Sequence, residues 1–320
     1  MSTLLLTRSE VEALLDPAAL APALRDAFRA YSTLSATRAK RVRATLPGPG
    51  TATVLFPGVV AGIPAYSVKV HAKFPGEDPA IRGVLCLHDR QTGVLLALMD
   101  STYLTAVRTG LAGAIAADVL ARRDAATVAV VGAGAQGEHQ LRALAMLRRL
   151  ARVWVYDTRA EQARAFAARL ARALDVPVAP SITLEDALRA ADIALVATWA
   201  RTPFLGPELV RPGMHVTTLG ADEPGKAEVS AEVICDAIFV CDDRELAVRM
   251  GAIGGVGLDA AAIDAELGEV LGGTHPGRTS AEGVTVYGGV GLAFQDLVAA
   301  WLVYGAARAR GFGREVDLLA

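Results

Sequence analysis

Residues 127–137, with the sequence TVAVVGAGAQG, join an apolar run to a G-x-G-x-x-G motif. The run Thr127–Val131 lacks polar alternation, as in a parallel strand that is covered on both faces. Gly132 allows a tight turn, Gly134 lets the backbone approach a pyrophosphate, and Gly137 lets helix and strand pack closely. The helix that follows offers free N–H groups and a partial positive charge to phosphates. The segment therefore predicts a dinucleotide-binding loop.

An acidic residue follows the next predicted strand. Residues 153–156 form that strand, and Asp157 comes directly after it. A carboxylate there accepts hydrogen bonds from an adenosine ribose and repels a 2′-phosphate, which favours NAD over NADP. Arg159 lies two residues further on and is able to bind a phosphate, so NADP stays open as an alternative cofactor.

The alternation of apolar strands and helices continues on the C-terminal side of this loop. It predicts an α/β protein with a Rossmann-type doubly wound parallel sheet over residues 121–291. On the N-terminal side, helical patterns up to residue 31 give way to short runs at 43–100, separated by Gly, Pro and Asp. These runs predict a meander of strands, and 101–122 and 292–310 predict long helices, with Ser101 as an N-cap.

We therefore expect two domains. Residues 121–291 form a dinucleotide-binding Rossmann domain, and residues 1–120 with about 292–320 form an α+β domain that includes the C-terminal helix.

The composition is that of an ordinary globular protein. Apolar residues make up 52% and charged residues 21% of the 320 residues, enough for two domains with cores. The net charge of −2 argues against a nucleic-acid partner. Apolar stretches such as 111–117 are too short to span a bilayer, so we expect a cytoplasmic protein with no membrane partner.

Cysteine and histidine spacing predicts neither a disulfide framework nor a metal site. The three cysteines include no C-x-x-C pair, which is typical of small buried thiols in a reducing compartment. The five histidines lack metal-ligand spacing. Arginine is the usual cation of this chain, which has only four lysines. A lysine is therefore less often a mere surface charge here, because ammonium and guanidinium groups differ in size, hydration and ease of losing a proton.

Seven blocks of sequence carry a resemblance over nearly the whole chain. They are 42–43 (VR), 67–70 (SVKV), 104–109 (LTAVRT), 132–136 (GAGAQ), 198–203 (TWARTP), 220–226 (GADEPGK) and 284–287 (VTVY) with 290–293 (VGLA). In order and spacing they resemble the ornithine cyclodeaminase/mu-crystallin family. The resemblance implies a two-domain NAD(P)-dependent oxidoreductase that works at the Cα–N bond of an amino or cyclic imino acid. It also implies a homodimer formed through the N-terminal sheet.

Three cations resemble the family's cluster around the substrate carboxylate, namely Arg43, Lys69 and Arg108. A planar guanidinium supplies two charge-assisted hydrogen bonds to a carboxylate. Lys69 lies in an otherwise apolar run, and burial and nearby guanidinium groups would favour loss of its proton, so it is also a candidate proton carrier. His71 shares the face of Lys69 and is a further candidate for the pocket.

Asp222 resembles the group that handles the substrate nitrogen, and we expect it at a strand end of the dinucleotide domain. Gly288 and Gly289 stand where relatives commonly carry a more polar pair. The resemblance therefore implies that the backbone here lines the nicotinamide and that a side-chain contact with it is lost. Val290 is assigned to the substrate site. The remaining cofactor contacts that the resemblance implies are Thr109, Ala135, Gln136, Thr198, Lys226 and Gly289.

One departure from the family bears on the reaction. Ornithine cyclodeaminase carries an additional acidic residue on the strand that here reads TVLF at 53–56. Its loss favours an imine or ketimine reductase or an amino-acid dehydrogenase. Cyclodeamination of a diamino acid stays as an alternative, with Asp222, Glu77 or Asp78 in place of the missing acid. A non-catalytic, dinucleotide-dependent ligand-binding protein of mu-crystallin type is the alternative from another class.

Overall fold

The computed structural model of the chain describes residues 2–33, 40–46, 50–74, 77, 79–318 and 320. They form two compact units, Met1–Arg108 with Leu292–Ala320, and Thr109–Gly291. The strands are β1 (Thr3–Leu6), β2 (Lys40–Thr45), β3 (Thr51–Gly58), β4 (Ala65–Lys73), β5 (Ile81–Asp89), β6 (Leu95–Asp100), β7 (Thr127–Val131), β8 (Arg152–Tyr156), β9 (Val178–Pro180), β10 (Ile193–Val196), β11 (His215–Thr218), β12 (Ile238–Cys241), β13 (Ala265–Glu266), β14 (Thr285–Gly288) and β15 (Arg314–Val316). The α-helices are α1 (Arg8–Leu14), α2 (Pro17–Thr33), α3 (Thr102–Leu120), α4 (Ala135–Leu147), α5 (Ala160–Leu174), α6 (Leu184–Arg189), α7 (Ala231–Asp236), α8 (Arg244–Met250), α9 (Ala252–Gly255), α10 (Leu267–Gly272) and α11 (Ala293–Arg310).

The first unit is built on a mixed sheet with the strand order β15-β1-β6-β5-β4-β3-β2. Strands β2 to β6 pair with their chain neighbours in antiparallel fashion, which confirms the predicted meander. The sequence patterns missed β1 and β15. Strand β1 pairs parallel with β6 and antiparallel with β15, which comes from the other end of the chain. Such long-range pairing has no local signature.

Strands β2, β3 and β4 have an unusual polarity, because the buried side of β4 is basic and its exposed side is apolar. Cross-strand pairing aligns Arg41, Leu55 and Lys69 in one row and Arg43, Thr53 and His71 in the next. Since side chains alternate across a strand, these residues share one face of the sheet. We call this the basic face; its basic members are Arg41, Arg43, Lys69, His71 and Lys73.

The opposite side of the same strands carries a row of valines. Val42 pairs with Val54, Val54 with Val70, and Val70 with Val84. Val42, Val70 and Val84 are 63%, 43% and 42% exposed. We call these four residues the valine face. Exposed apolar patches on a folded unit are typical of interaction surfaces.

Two helices of the first unit pack against each other and bury their aromatic residues. Phe294 of α11 contacts Phe28 and Tyr31 of α2, with ring centroids 5.1 and 4.9 Å apart. Helix α11 also lies against β3 and β4, and its first turns are buried, including the polar residues Gln295 and Asp296. Helix α11 therefore brings a buried carboxylate to the sheet.

Helix α3 begins close to the predicted residue but has a different cap. The backbone N–H groups of Thr102 and Tyr103 donate to Asp100 Oδ1, at 3.1 and 3.3 Å. The Ser101 hydroxyl is buried and has no hydrogen-bond partner, so the prediction of a Ser101 cap is wrong. Helix α3 has the length and composition of a membrane span, but 72% of it is buried, as in the core helix of a soluble protein.

The second unit is a parallel sheet with the order β13-β12-β14-β11-β10-β7-β8-β9. This is the predicted doubly wound Rossmann-type fold, and the prediction of an α/β protein is confirmed. The central strands β7 and β10 are almost completely buried, which explains their continuous apolar sequences. Strand β14 lies between β11 and β12, so the chain returns to the middle of the sheet before it leaves this unit.

Candidate functional site

The glycine loop has the conformation that its sequence predicts. Gly132 has a φ of 99°, in the left-handed region, and a Cβ there would collide with the Ala197 carbonyl. A Cβ on Gly137 would collide with the carbonyl of Gly132, so this glycine allows close packing of α4 on the strand. Gly134 is exposed and precedes the first residue of α4. A Cβ on Gly134 would meet only open space, which leaves room for a phosphate at the helix N-terminus.

Asp157 holds this loop in place while keeping acceptor capacity. Its Oδ2 accepts from the Ala133 N–H at 2.9 Å, and its Oδ1 accepts from the Arg159 N–H at 2.9 Å. Each carboxylate oxygen has further lone pairs for a ribose hydroxyl. Arg159 is exposed, and its Nε lies 3.8 Å from Asp157 Oδ1. The pair thus places an exposed cation beside a carboxylate that is able to accept from a ribose.

A cavity of about 600 Å³ opens beside the loop, and Gly132, Asp157, Thr198 and Trp199 contribute to its lining. These residues follow the carboxyl ends of β7, β8 and β10, where doubly wound folds bind their ligands. The volume is in the usual range for ligand sites. The open space at Gly134, the carboxylate and the cavity together fit an adenine dinucleotide.

Glu228 is a buried carboxyl group that sequence reasoning missed. Its Oε1 accepts from the N–H and hydroxyl of Thr198, at 2.5 and 2.7 Å. Its Oε2 accepts from the Thr218 hydroxyl at 2.5 Å and from the Gly220 N–H at 2.9 Å. Burial raises the pKa of Glu228, and the four donors oppose that rise. Glu228 therefore connects the loops after β10 and β11 by hydrogen bonds. The Thr198 hydroxyl uses its proton in its hydrogen bond to Glu228.

Asp222 and Lys226 lie together after β11. Lys226 Nζ donates to Asp222 Oδ1 at 3.0 Å, lies 3.6 Å from Glu223 Oε1, and stands 4.1 Å from the centre of the Trp199 ring. Lys226 is buried, whereas the Asp222 side chain is 24% exposed. The structure thus brings both predicted residues to the carboxyl edge of the sheet, with Asp222 the more accessible of the two.

Gly289 and Val290 follow β14 at the same edge. The N–H of Gly289 donates to the Thr218 carbonyl at 3.3 Å. The N–H groups of Val290 and Gly291 donate to Asp242 Oδ2 at 3.0 and 2.6 Å. Asp242 is completely buried, and burial raises its pKa to about 6. Asp242 is a second acidic residue that the sequence patterns did not identify.

In the first unit, Lys69 and Arg108 converge on Asp296. Lys69 Nζ donates to Asp296 Oδ1 at 2.9 Å and to the Thr105 hydroxyl at 3.2 Å. Arg108 Nε donates to Asp296 Oδ1 at 2.8 Å, and its Nη1 donates to Gln295 Oε1 at 2.6 Å. The side chains of Lys69 and Asp296 are each only 1% exposed. Sequence reasoning missed Asp296, whose signal is one acid within the apolar start of α11.

This cluster changes the protonation of Lys69. Burial, the positive charge of Arg108 and, more weakly, that of Arg41 lower the pKa of Lys69 to about 7, although Asp296 acts in the opposite direction. Arg108 and Lys69 keep the pKa of Asp296 below its usual range, although burial acts to raise it. Lys69 is therefore able to gain and lose a proton near neutral pH.

His71 and the arginines of β2 complete this side of the sheet. His71 is 5% exposed, and neither ring nitrogen has a hydrogen-bond partner. Arg43 shares the face by register but its side chain is exposed. Arg41 is the β2 residue whose charge acts on both Lys69 and His71. Arg41 is thus a candidate for the contact with the substrate carboxylate that the sequence analysis assigned to Arg43.

The other candidates are placed as follows. Thr109 is half-buried on α3, Ala135 is exposed at the first residue of α4, and Gln136 Oε1 is buried without a partner. Glu77 pairs with Arg82 at 3.2 Å, and Asp78 lies outside the described residues. Within the ranges that the structure describes, no group of three or more His, Cys, Asp or Glu side chains could hold a metal ion.

The unit Thr109–Gly291 thus defines a dinucleotide-dependent protein of the Rossmann class. The chain as a whole belongs to the ornithine cyclodeaminase/mu-crystallin family, whose model matches residues 1–311. This confirms the family resemblance and the prediction of an NAD(P)-dependent oxidoreductase.

Similar proteins cover nearly the entire chain. An alanine dehydrogenase of Archaeoglobus fulgidus is 33% identical over 99% of this chain and 98% of its own. A delta(1)-pyrroline-2-carboxylate reductase of Bacillus cereus is 31% identical over 86% of this chain and 88% of its own.

Solved structures agree with this assignment. An archaeal alanine dehydrogenase dimer with bound NAD has a TM-score of 0.93 and 32% identity, covering 100% of both chains. The delta(1)-pyrroline-2-carboxylate reductase of Thermococcus litoralis, in complex with NADH and L-proline, has a TM-score of 0.92 and 29% identity. It covers 98% of this chain and 100% of its own.

Proposed function

We propose that this protein is an NAD-dependent oxidoreductase that acts on the Cα–N bond of an amino acid or a cyclic imino acid. The observation that carries the proposal is the buried Lys69–Asp296–Arg108 cluster, in which a lysine with a pKa of about 7 stands beside a guanidinium. Relatives named as alanine dehydrogenase and pyrroline-2-carboxylate reductase support the same chemistry.

NAD, when bound, supplies the hydride exchange that converts a Cα–N single bond into a C=N double bond or back. The glycine loop and the N-terminus of α4 hold the pyrophosphate, and Asp157 accepts hydrogen bonds from the adenosine ribose. The loop carrying Thr198 lines the cavity and is fixed by Glu228. Gln136 and the backbone at Gly289 are further proposed cofactor contacts.

Lys69 and Arg108 bind the substrate carboxylate in this proposal. When Lys69 is protonated, two cations share one carboxylate of the protein and keep a net positive charge, which attracts an anionic substrate into a buried site. In the reductive direction Lys69 is the proton donor, because a group with a pKa near 7 is suited to both loss and gain of a proton. Asp222 is the proposed partner of the substrate nitrogen, held in orientation by Lys226.

We also propose that the protein is a homodimer that associates through the valine face. The exposed apolar side chains of Val42, Val70 and Val84 would leave water in such an interface. The related archaeal alanine dehydrogenase is a dimer. A cytoplasmic location is part of the proposal, supported by the free cysteines Cys86, Cys235 and Cys241.

Absorbance of the reduced cofactor tests the function directly. Purified protein is mixed with NAD and a panel of L-amino acids, and in the opposite direction with NADH and cyclic imino acids. We expect turnover with at least one substrate, and a loss of about a hundredfold or more in kcat for Lys69→Met and Asp222→Asn with NAD affinity retained. Tight NAD binding without turnover of any substrate would instead favour the non-catalytic ligand-binding alternative.

A further inference from the structure

We propose that the substrate carries a second carboxylate, beyond the one next to its Cα, and that the basic face binds it through His71 and Lys73. The inference rests on the proposed function and names the substrate class of the same site. The preferred substrates are then amino or imino dicarboxylic acids, rather than neutral amino acids or diamino acids.

The first observation is the reversed polarity of the sheet. Soluble proteins usually bury the apolar side of a strand and expose its polar side. On β4 the buried side chains include Lys69, His71 and Lys73, at 1%, 5% and 6% exposure, while Val70 between them is 43% exposed. Burial of several basic groups is costly unless they are compensated. Asp296 compensates Lys69, and the burial of basic side chains on this face is what a site for an anionic ligand requires.

The second observation is the state of His71. Both of its ring nitrogens are buried and have no hydrogen-bond partner. A buried polar group without a partner is rare in folded proteins, and one usual reason is a ligand that completes it. Gly83 lies opposite His71 in the sheet, and a Cβ there would lie 2.6 Å from the Cβ of His71. A residue larger than glycine at position 83 would therefore collide with the strand at His71.

The surrounding charges favour an anion at His71. Burial and the positive charges of Lys69, Arg41 and Lys73 lower the pKa of His71 to about 3, and Asp296 is the group that acts in the opposite direction. Asp296 is already shared by Lys69 and Arg108. At neutral pH the imidazole is uncharged, so it donates one N–H and stands in a positive potential. That potential attracts a carboxylate and repels an ammonium group.

The spacing along β4 suits two carboxylates. Residues i and i+2 of a strand lie roughly 6–7 Å apart, which separates Lys69 from His71 and His71 from Lys73 by comparable steps. One carboxylate at Lys69 and Arg108 leaves the second carboxylate of an aspartate- or glutamate-sized substrate nearest to His71, one step along the strand, with the longer side chain of Lys73 one step further. The absence of an acidic residue in 53–56 agrees with this, since that segment offers nothing to a distal ammonium group.

Initial rates of NADH formation test the substrate class. L-Aspartate and L-glutamate are compared with L-alanine, L-proline and L-ornithine under identical conditions. We expect kcat/KM for the better dicarboxylic amino acid to exceed that for each of the other three by about tenfold or more, the effect of one charge-assisted hydrogen bond. A neutral or diamino acid as the best substrate overturns the inference but leaves the proposed function intact.

Two variants of the basic face and one matched control locate the effect. His71→Leu and Lys73→Gln are expected to raise KM for the dicarboxylic substrate about tenfold, with little change for L-alanine, and Lys73→Arg restores the lower value. Arg82→Gln is the control. Arg82 pairs with Ala72, which lies on the opposite side of the sheet from His71 and Lys73. This variant therefore removes one cation from the other side of the same sheet. Equal effects of Lys73→Gln and Arg82→Gln overturn the inference.

If no amino acid supports turnover, the proposed function is wrong. Calorimetry then tests the dicarboxylate site without any need for turnover. Succinate and butyrate are titrated into the wild-type protein in the presence of NAD. Tighter binding of succinate, by about tenfold and lost in Lys73→Gln, supports a dicarboxylate site. Equal binding of the two acids overturns it.

Discussion

Lys69 and Asp296, 227 positions apart in sequence, form a buried ion pair in which Nζ lies 2.9 Å from Oδ1 and 2.8 Å from Oδ2. Each side chain is 1% exposed, so water screens the pair little. Asp296 acts to raise the pKa of Lys69, whereas burial and Arg108 act to lower it, so we expect the activity of the enzyme to depend on pH through this pair.

The reductive reaction should slow as the pH rises through about 7. Its kcat/KM requires a protonated Lys69, and burial and Arg108 lower the pKa of that group to about 7. The inflection near pH 7 should disappear in Lys69→Met. Lys40→Met is the control, since Lys40 is an exposed lysine of β2. A Lys69→Met profile that matches the wild type would contradict the role of Lys69.

Asp296→Asn should move that inflection to lower pH, because Asp296 acts to raise the pKa of Lys69. It should also destabilise the protein by about 3–5 kcal/mol, since two buried cations lose their partner. Urea unfolding and pH–rate profiles measure the two effects. Asp26→Asn is the control, because Asp26 is 74% exposed in its pair with Arg29. An unchanged inflection in Asp296→Asn would disprove the coupling.

Glu228→Gln should cost about 1–3 kcal/mol of stability and weaken NAD binding. Each oxygen of Glu228 accepts from a backbone N–H, that of Thr198 or of Gly220, and a backbone N–H cannot become an acceptor. The amide nitrogen of glutamine therefore faces a donor in either orientation. Thermal unfolding and NAD titration test this, with the exposed Glu282→Gln as control. Similar stability of both variants would refute it.

Asp157→Ser should raise KM for NAD about tenfold and reduce the preference over NADP. The substitution removes an acceptor for the ribose hydroxyls and the repulsion of a 2′-phosphate, while Arg159 remains to bind that phosphate. Steady-state kinetics with both cofactors measure the ratio. Asp124→Ser, at a carboxylate that is 79% exposed, is the control. An unchanged ratio would argue against Asp157 as the selective group.

Val70→Asp should convert a dimer into monomers, because it places a charge in the centre of the valine face. Sedimentation velocity measures the mass. Ile182→Asp is the control, since Ile182 is 94% exposed in the other unit. A dimer that survives Val70→Asp, or a wild-type protein that is monomeric, would exclude this interface.

The sequence predicted the parts of the fold that have a local signature. The glycine loop and Asp157 lie where the motif requires, because turn geometry and close packing impose glycine at fixed spacing. The alternation in β4 correctly placed Lys69 and His71 on one face. Apart from the apolar run around Lys69, it did not indicate that the basic face is the buried one, because hydrophobic periodicity assumes the opposite arrangement.

The acids of the site were less predictable. Asp296, Glu228 and Asp242 act by contacts with residues that are distant in sequence or on other strands. A single acid in an apolar segment signals a buried charge but does not identify its partner. Arg41 and Arg43 show the same limit, because register places both on one face and only packing decides which of them is half-buried and which is exposed.

Because of the reversed polarity of β4, the proposed dimer contact and the proposed substrate contact use alternate residues of one segment, SVKVHAK at 67–73. An insertion or deletion of one residue there would exchange the two sides of the strand. It would place lysines and histidine on the side proposed for the dimer contact and valines on the side proposed for the substrate. The length of this strand should therefore tolerate no change, even where its individual residues do.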